Sequence, residues 1–150
     1  MSESWKSEAA AIRAATPKHI LFLCVANSAR SQMAEGIARS LAPASIKISS
    51  AGSSPSKLNP FAVKALAEVG IDISKQYSKS VAHIPPGDVE LVVTLCGEEE
   101  CPLFLGKAVR VHWGLPDPAG VSGDDEAKLE SFRSVRDELT RRLENLFSTG

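Results

Sequence analysis

Residues 18–41 read KHILFLCVANSARSQMAEGIARSL, and their order decides the architecture. Ile20 to Leu23 form a short continuous apolar run, which suits a strand covered on both faces, as in a parallel sheet. After Ser28, apolar side chains recur at helical spacing (Met33, Ala34, Ile37, Ala38, Leu41), and Pro43 closes the helix. Cys24 to Arg30 is therefore a strand-to-helix loop. In such a loop, backbone N–H groups converge on a helix N-terminus, a ready site for an anion.

The rest of the chain extends this unit. Ser45 to Ser50 alternates and runs into the turn-rich AGSSPSKLNP, after which Pro60 opens a helix that Gly70 stops. Residues 71–87 are polar and broken, with at most a short helix around Ser80 to Ile84. Val89 to Cys96 is a second continuous apolar run and reads as a central strand. Ala108 to Trp113 reads as an edge strand. From Asp124 onward, Leu129, Phe132, Val135, Leu139, Leu143 and Leu146 mark a long amphipathic closing helix. The order β-α-β-α-β-β-α predicts an α/β domain of three layers, α/β/α, around a mostly parallel four-stranded sheet. Ligands of such sheets sit beyond the carboxyl ends of the strands. Cys24, Cys96 and the loop after Trp113 all fall there.

Length and charge bound the rest. A chain of 150 residues suits one domain with a real core, and a net charge of -1 advertises neither nucleic acid nor an anionic membrane as partner. No apolar run approaches the ~18 residues of a membrane-spanning helix. Residues 1–17 carry Trp5, Ala9, Ile12 and Ala15 but no long apolar stretch, so they read as an N-terminal extension, a short helix or arm, and not as a secretory signal. Residues 18–150 then form the main domain. A cytoplasmic, reducing location is expected, with the protein a monomer and its three cysteines chemical rather than structural.

The loop itself is C-x5-R. A thiol must ionise to attack, and backbone donors, a helix start and a guanidinium all favour a thiolate. Arg30 adds a planar fork suited to two oxygens of a tetrahedral oxyanion. Val25, Ala26, Asn27, Ser28 and Ala29 supply the intervening amides, with Arg30 and Ser31 completing the oxyanion-binding set. Asn27 tolerates left-handed backbone, and Ser31 is placed to hydrogen-bond the sulfur. The plainer alternative is a buried free cysteine ending a strand.

Cys96 and Cys101 bracket GEEE. A disulfide needs Cα atoms within roughly 7 Å, so on a helix the segment would have to bend or unwind to pair them; otherwise TLCGEEECP is an acidic surface loop. Asp117, between Pro116 and Pro118, is a carboxyl group on a stiff loop and a candidate general acid, although Asp-Pro also makes plain turns. His112 and Trp113 read as the end of the edge strand. His19 and His83 carry no motif, no metal-ligand spacing appears, and no cofactor is implied.

Together LFLCVANSARSQMAEG, SSAGSSPSKLNPFAVKALAEVGIDISKQYSKSV, VVTLCGEEECP and HWGLPDPAG resemble the arsenate reductases built on the low-molecular-weight protein tyrosine phosphatase fold, from about Lys18 to the C-terminal helix. The resemblance implies that Cys24 attacks arsenate, Arg30 clamps the oxyanion, Asn27 shapes the loop, Ser31 supports the thiolate and Asp117 protonates the leaving oxygen. It further implies that Cys96 releases arsenite by forming a disulfide and that Cys101 takes the disulfide over. Thioredoxin or another thiol system would then restore the dithiol. The sequence departs from the family at Ala26 (commonly Gly), at Ala29 and Gln32 (Cys and Pro in the phosphatases) and in the short Cys96–Cys101 spacing. It also has Lys79 where some members place an acidic residue beside a potassium ion, so no potassium site is carried over. The alternatives are a phosphotyrosine phosphatase and a non-catalytic oxyanion sensor. The first needs aromatic walls, and the Asp-Pro loop continues Ala-Gly in a chain with two tryptophans, one tyrosine and five phenylalanines. The second has no use for a cysteine pair.

Overall fold

The computed structural model describes residues 10, 12, 17–96 and 108–147. Strand β1 (His19–Cys24) is buried along its whole length, which is why its sequence is a continuous apolar run rather than an alternating one. It pairs in parallel with β2 (Lys47–Gly52) on one side and β3 (Leu91–Thr94) on the other. Cys24 stands opposite Gly52, and Leu23 stands opposite both Ala51 and Thr94. Strand β4 (Val109–His112) adds an edge in parallel, setting Thr94 opposite His112. The order is β2-β1-β3-β4, so every neighbouring pair is parallel, as the α/β reading expects.

Three helices complete the described chain. Helix α1 (Arg30–Leu41) follows the loop. Helix α2 (Pro60–Ala67) is capped by Asn59, whose side chain accepts from the Phe61 amide. It ends at Ala67 rather than running to Gly70; the last turn tightens, and Gly70 takes the left-handed conformation (φ 81°). Helix α3 (Asp125–Leu146) starts where Asp124 accepts from the Ala127 amide. The short helix expected near Ser80 is a single 3₁₀ turn, Val81–His83, capped by Ser80. Strand β2 lies two residues later than Ser45 to Ser50. Ala51 and Gly52 are weak strand formers, but pairing with Leu23 and Cys24 overrides propensity.

Alternation along the strands divides the interior. Ile20, Phe22, Val93, Val111 and Trp113 join Met33, Ile37, Leu66, Phe132 and Leu139 in the main core, to which all three helices contribute. Leu21, Leu23 and Val92 point to the other face, where Val89, Val81, Ile84 and Ala108 cover them. Arg133 and Arg136 clamp α3 to Glu68 at the end of α2, with Arg133 also bound to Glu126 and Glu130. Of the N-terminal extension, Ile12 is buried in the main core, while Trp5, Ala9 and Ala15 lie outside the described residues. No helix among the described residues is long and apolar enough to cross a membrane.

Candidate active site

The loop between β1 and α1 is held by its carbonyls. Val25 O accepts from the Ser54 amide (2.9 Å), Ala26 O from the Ser56 amide (3.1 Å) and Ser78 Oγ (2.9 Å), Asn27 O from Gln32 Nε2 (3.0 Å), and Ser28 O from the Asn59 amide (2.9 Å). With the carbonyls turned outward to these partners, the amides of Val25 to Ala29 donate to no acceptor among the described residues. Ala29 provides no side-chain cap for α1. The five amides of Val25 to Ala29 form a set of donors that suits an anion.

Asn27 sets both the curvature and the polarity of this cradle. Its φ of 49° lies in the left-handed region that asparagine tolerates. Its Oδ1 accepts from the Lys79 amide (2.8 Å) and from Gln32 Nε2 (3.0 Å), so its Nδ2 is the donor to Ser31 Oγ (2.7 Å). The Ser31 hydroxyl stands 2.9 Å from Cys24 Sγ, and either atom can donate in that contact. Cys24 is a free thiol and is buried.

Arg30 is also buried. Its Nη1 donates to the carbonyls of Leu115 (3.0 Å) and Leu95 (3.4 Å), so one guanidinium ties the loop to the ends of β3 and β4. Leu95 in turn donates to Leu23 O (2.9 Å), which brings Cys96 to the strand end beside Cys24. Cys96 is buried and disulfide-bonded. Cys101 lies outside the described residues. Asp117 is exposed, and its carboxylate caps its own turn by accepting from the Ala119 amide (3.0 Å). Its loop is nonetheless anchored to the site through Leu115 and Arg30.

Several supporting residues were not read from the sequence. Gly52 is one: a Cβ there would stand 2.3 Å from Val25 O and 2.9 Å from the Asn27 amide nitrogen, so only glycine lets β2 pass behind the loop. Gln32 and Gln76 are another pair, joined by Gln76 Nε2 to Gln32 Oε1 (2.7 Å), with Gln32 also reaching Tyr77 O (2.9 Å). The abundance of serine in AGSSPSKLNP and QYSKS was the only available signal, since those hydroxyls and amides meet the loop through folding alone. Behind α1, Glu35 is buried and accepts from Ser50 Oγ, with Arg39 at 2.6 Å and Lys79 Nζ at 3.6 Å. Burial pushes the Lys79 ammonium down from its ordinary range, opposed by the Glu35 carboxylate. A groove of about 810 Å³ lies on that side, lined by Glu35, Arg39, Tyr77 and Lys79 among others and not by Cys24. No cluster of metal-ligating side chains occurs among the described residues.

Residues 19–149 match the family model for low molecular weight phosphotyrosine protein phosphatase. The chain is 47% identical over 135 residues to an arsenate reductase of Bacillus subtilis (strain 168), covering 89% of this chain and 97% of that one. Among solved structures it is similar to an arsenate reductase in the phosphate binding state, with a TM-score of 0.75 and 39% identity over 87% of this chain and 96% of the other. It is also similar to a thioredoxin-dependent arsenate reductase of Corynebacterium glutamicum, with a TM-score of 0.57 and 26% identity over 93% of this chain and 70% of that one.

Proposed function

The chain belongs to the low molecular weight phosphotyrosine protein phosphatase family, as an arsenate-reducing member, and from that premise we propose that it reduces arsenate to arsenite by a relay through Cys24, Cys96 and Cys101. The observation that carries this reading is the division of the cysteines. Cys24 is a free thiol in an anion cradle, and Cys96, at the neighbouring strand end, is in a disulfide. Arsenate enters the cradle, held by the amides of Val25 to Ala29 and by Arg30. The Cys24 thiolate attacks arsenic, and Asp117 gives a proton to the departing oxygen, which leaves as water. The Cys96 thiolate then attacks Cys24 Sγ. The sulfur–sulfur bond forms, the sulfur–arsenic bond breaks with its electron pair going to arsenic, and arsenite departs. Cys101 attacks Cys96 and frees Cys24.

The external reductant is proposed to be thioredoxin, a reading supported by the thioredoxin-dependent neighbour. The cellular setting that supplies it is the cytoplasm. The test is NADPH oxidation coupled through thioredoxin and its reductase with arsenate as substrate, run beside aryl-phosphate hydrolysis on the same sample. Arsenate-dependent turnover that exceeds phosphate release is expected. Hydrolysis without arsenate-dependent oxidation would sink the proposal.

A further inference from the structure

The carbonyls of Val25 to Ser28 are all fastened from outside the loop, but not by the same kind of donor. Those of Val25, Ala26 and Ser28 accept from the backbone amides of Ser54, Ser56 and Asn59 (2.9, 3.1 and 2.9 Å). Among the described residues, the Asn27 carbonyl alone is held only by a side chain, Gln32 Nε2 at 3.0 Å. Gln32 lies in the first turn of α1 and is fully buried. Its Nε2 also stands 3.0 Å from Asn27 Oδ1 and 2.9 Å from Tyr77 O, so three oxygens surround one NH2 group. On the other side, Gln32 Oε1 accepts from Gln76 Nε2 (2.7 Å), which also donates to Gln32 O (3.1 Å). Only one orientation of the Gln32 amide fits these partners. Turned over, Oε1 would face three acceptors and Nε2 would face the NH2 group of Gln76.

We propose that Gln32 is a positioning residue: by fastening the Asn27 carbonyl outward, it keeps the Ser28 N–H aimed at the bound oxyanion. This rests on the oxyanion-binding reading above and deepens it. A peptide is a rigid plane with its C=O and N–H on opposite sides, so the donor that holds the Asn27 carbonyl also aims the Ser28 amide. That amide donates to no acceptor among the described residues. The neighbouring peptides keep their direction through backbone donors, which no side-chain substitution removes. The peptide after Asn27 has no such donor, and Asn27 already stands in the sparsely populated left-handed region (φ 49°). Without Gln32, the carbonyl of the fully buried Asn27 would lack a donor, a costly state that rotation of the peptide relieves. That rotation replaces a donor with an acceptor at the anion. Gln76 has the lesser share, deciding which end of the Gln32 amide faces the loop.

The experiment uses the full-length reduced chain, isotope-labelled for amide NMR and titrated with inorganic phosphate, a tetrahedral oxyanion like arsenate. In the parent, the Ser28 amide proton should move downfield on phosphate addition, together with those of Ala26, Asn27 and Ala29. Gln32→Met, similar in length but without a donor, should raise the phosphate Kd by about tenfold or more, the ordinary loss of one hydrogen bond to a charged group. At saturation its Ser28 shift should vanish while the other three persist. Gln76→Met leaves the Gln32 donors in place but frees that amide to turn over. It should act in the same direction and more weakly, and it decides the matter if Gln32→Met does not fold. An unchanged phosphate Kd with the Ser28 response intact overturns the proposal, even where the melting temperature falls, because Gln32 is then structural alone. A parent whose loop amides ignore phosphate overturns the oxyanion site and this assignment with it. A chain that shows the expected pattern yet reduces no arsenate overturns the relay alone.

Discussion

The two ends of β1 are built from similar materials and serve opposite ends. At its N-terminal end, His19 is buried and hydrogen-bonds Ser49 Oγ through Nε2 (2.9 Å) and the Asp88 carbonyl through Nδ1 (3.1 Å). At its C-terminal end, Cys24 is buried against Ser31 Oγ. Both clusters pair one titratable side chain with a serine and draw on neighbouring segments of chain. The difference lies in what is left over. Both ring nitrogens of His19 are satisfied, as buried polar groups normally are. Beyond Cys24, the carbonyls are satisfied while the amides of Val25 to Ala29 are not. Donors left without an acceptor in the fold are what an incoming anion would meet, and the His19 end offers none.

The sharpest way to break this contrast is to remove the sulfurs. Cys24→Ser should abolish arsenate reduction and aryl-phosphate hydrolysis together. Cys96→Ser and Cys101→Ser should abolish multiple-turnover reduction but leave slow hydrolysis, which needs only Cys24, Arg30 and Asp117. Loss of both activities in Cys96→Ser would place that cysteine in the cradle itself rather than in the relay.

The next effect should come from Gly52, which touches no substrate. Gly52→Ala sets a methyl group against two backbone carbonyls and an amide nitrogen, none of which is a flexible side-chain end. The loop must shift, at a stability cost on the order of 1–3 kcal/mol. Displacement of the amides by about an ångström should lower kcat/KM for arsenate by about a hundredfold. An unchanged kcat/KM would show that the amides tolerate movement and that Arg30 alone holds the oxyanion. Asn27 divides more finely. Asn27→Gly keeps the left-handed backbone and loses the bond to Ser31, whereas Asn27→Ala loses both. Alanine should therefore be less stable than glycine by about 1–2 kcal/mol in urea unfolding, with both slowing arsenate reduction.

The same contrast explains what the sequence could tell. The β1–loop–α1 unit was legible because its signal is local: an apolar run, a cysteine, an arginine and a helical repeat lie within 24 consecutive residues. The apolar runs at β3 and β4 were legible for the same reason, although pairing trimmed β3 to Leu91–Thr94. The bracing of the cradle was not legible, because its donors arrive from Ser54, Ser56, Asn59, Ser78 and Lys79, residues with no chemistry of their own until parallel pairing brings them in. Gly52 belongs with them, since a glycine forced by close approach looks like any glycine in a turn-rich stretch. Asp117 is the converse. The sequence marks it clearly, yet its carboxylate also serves as a turn cap, so the acid role remains a proposal that Asp117→Asn tests by slowing the first thiol attack.

The smallest expected effect belongs to the satisfied end of β1, and it appears as pH dependence rather than as lost activity. Burial is the main cause that lowers the His19 pKa from its ordinary 6.5, with the Asp88 carbonyl opposing it. A base whose folded pKa is lowered binds its proton more readily in the unfolded chain. Between the unfolded and folded values the unfolded state carries more protons, so stability rises with pH across that window. The His19 contribution should be complete above about pH 6.5 and should fall as the solution is acidified below it. His19→Gln should remove that slope from the urea midpoint measured between pH 7 and pH 5. Glu68 provides an internal control, because Arg133 and then Arg136 hold its carboxyl near a pKa of about 2, and its contribution is lost only between pH 4.5 and 2. In Glu68→Gln the slope between pH 7 and 5 should persist while the more acidic limb flattens. A His19→Gln chain that keeps the full slope between pH 7 and 5 would mean that His19 titrates alike in both states, and that the N-terminal end of β1 is more open to water than its two hydrogen bonds imply.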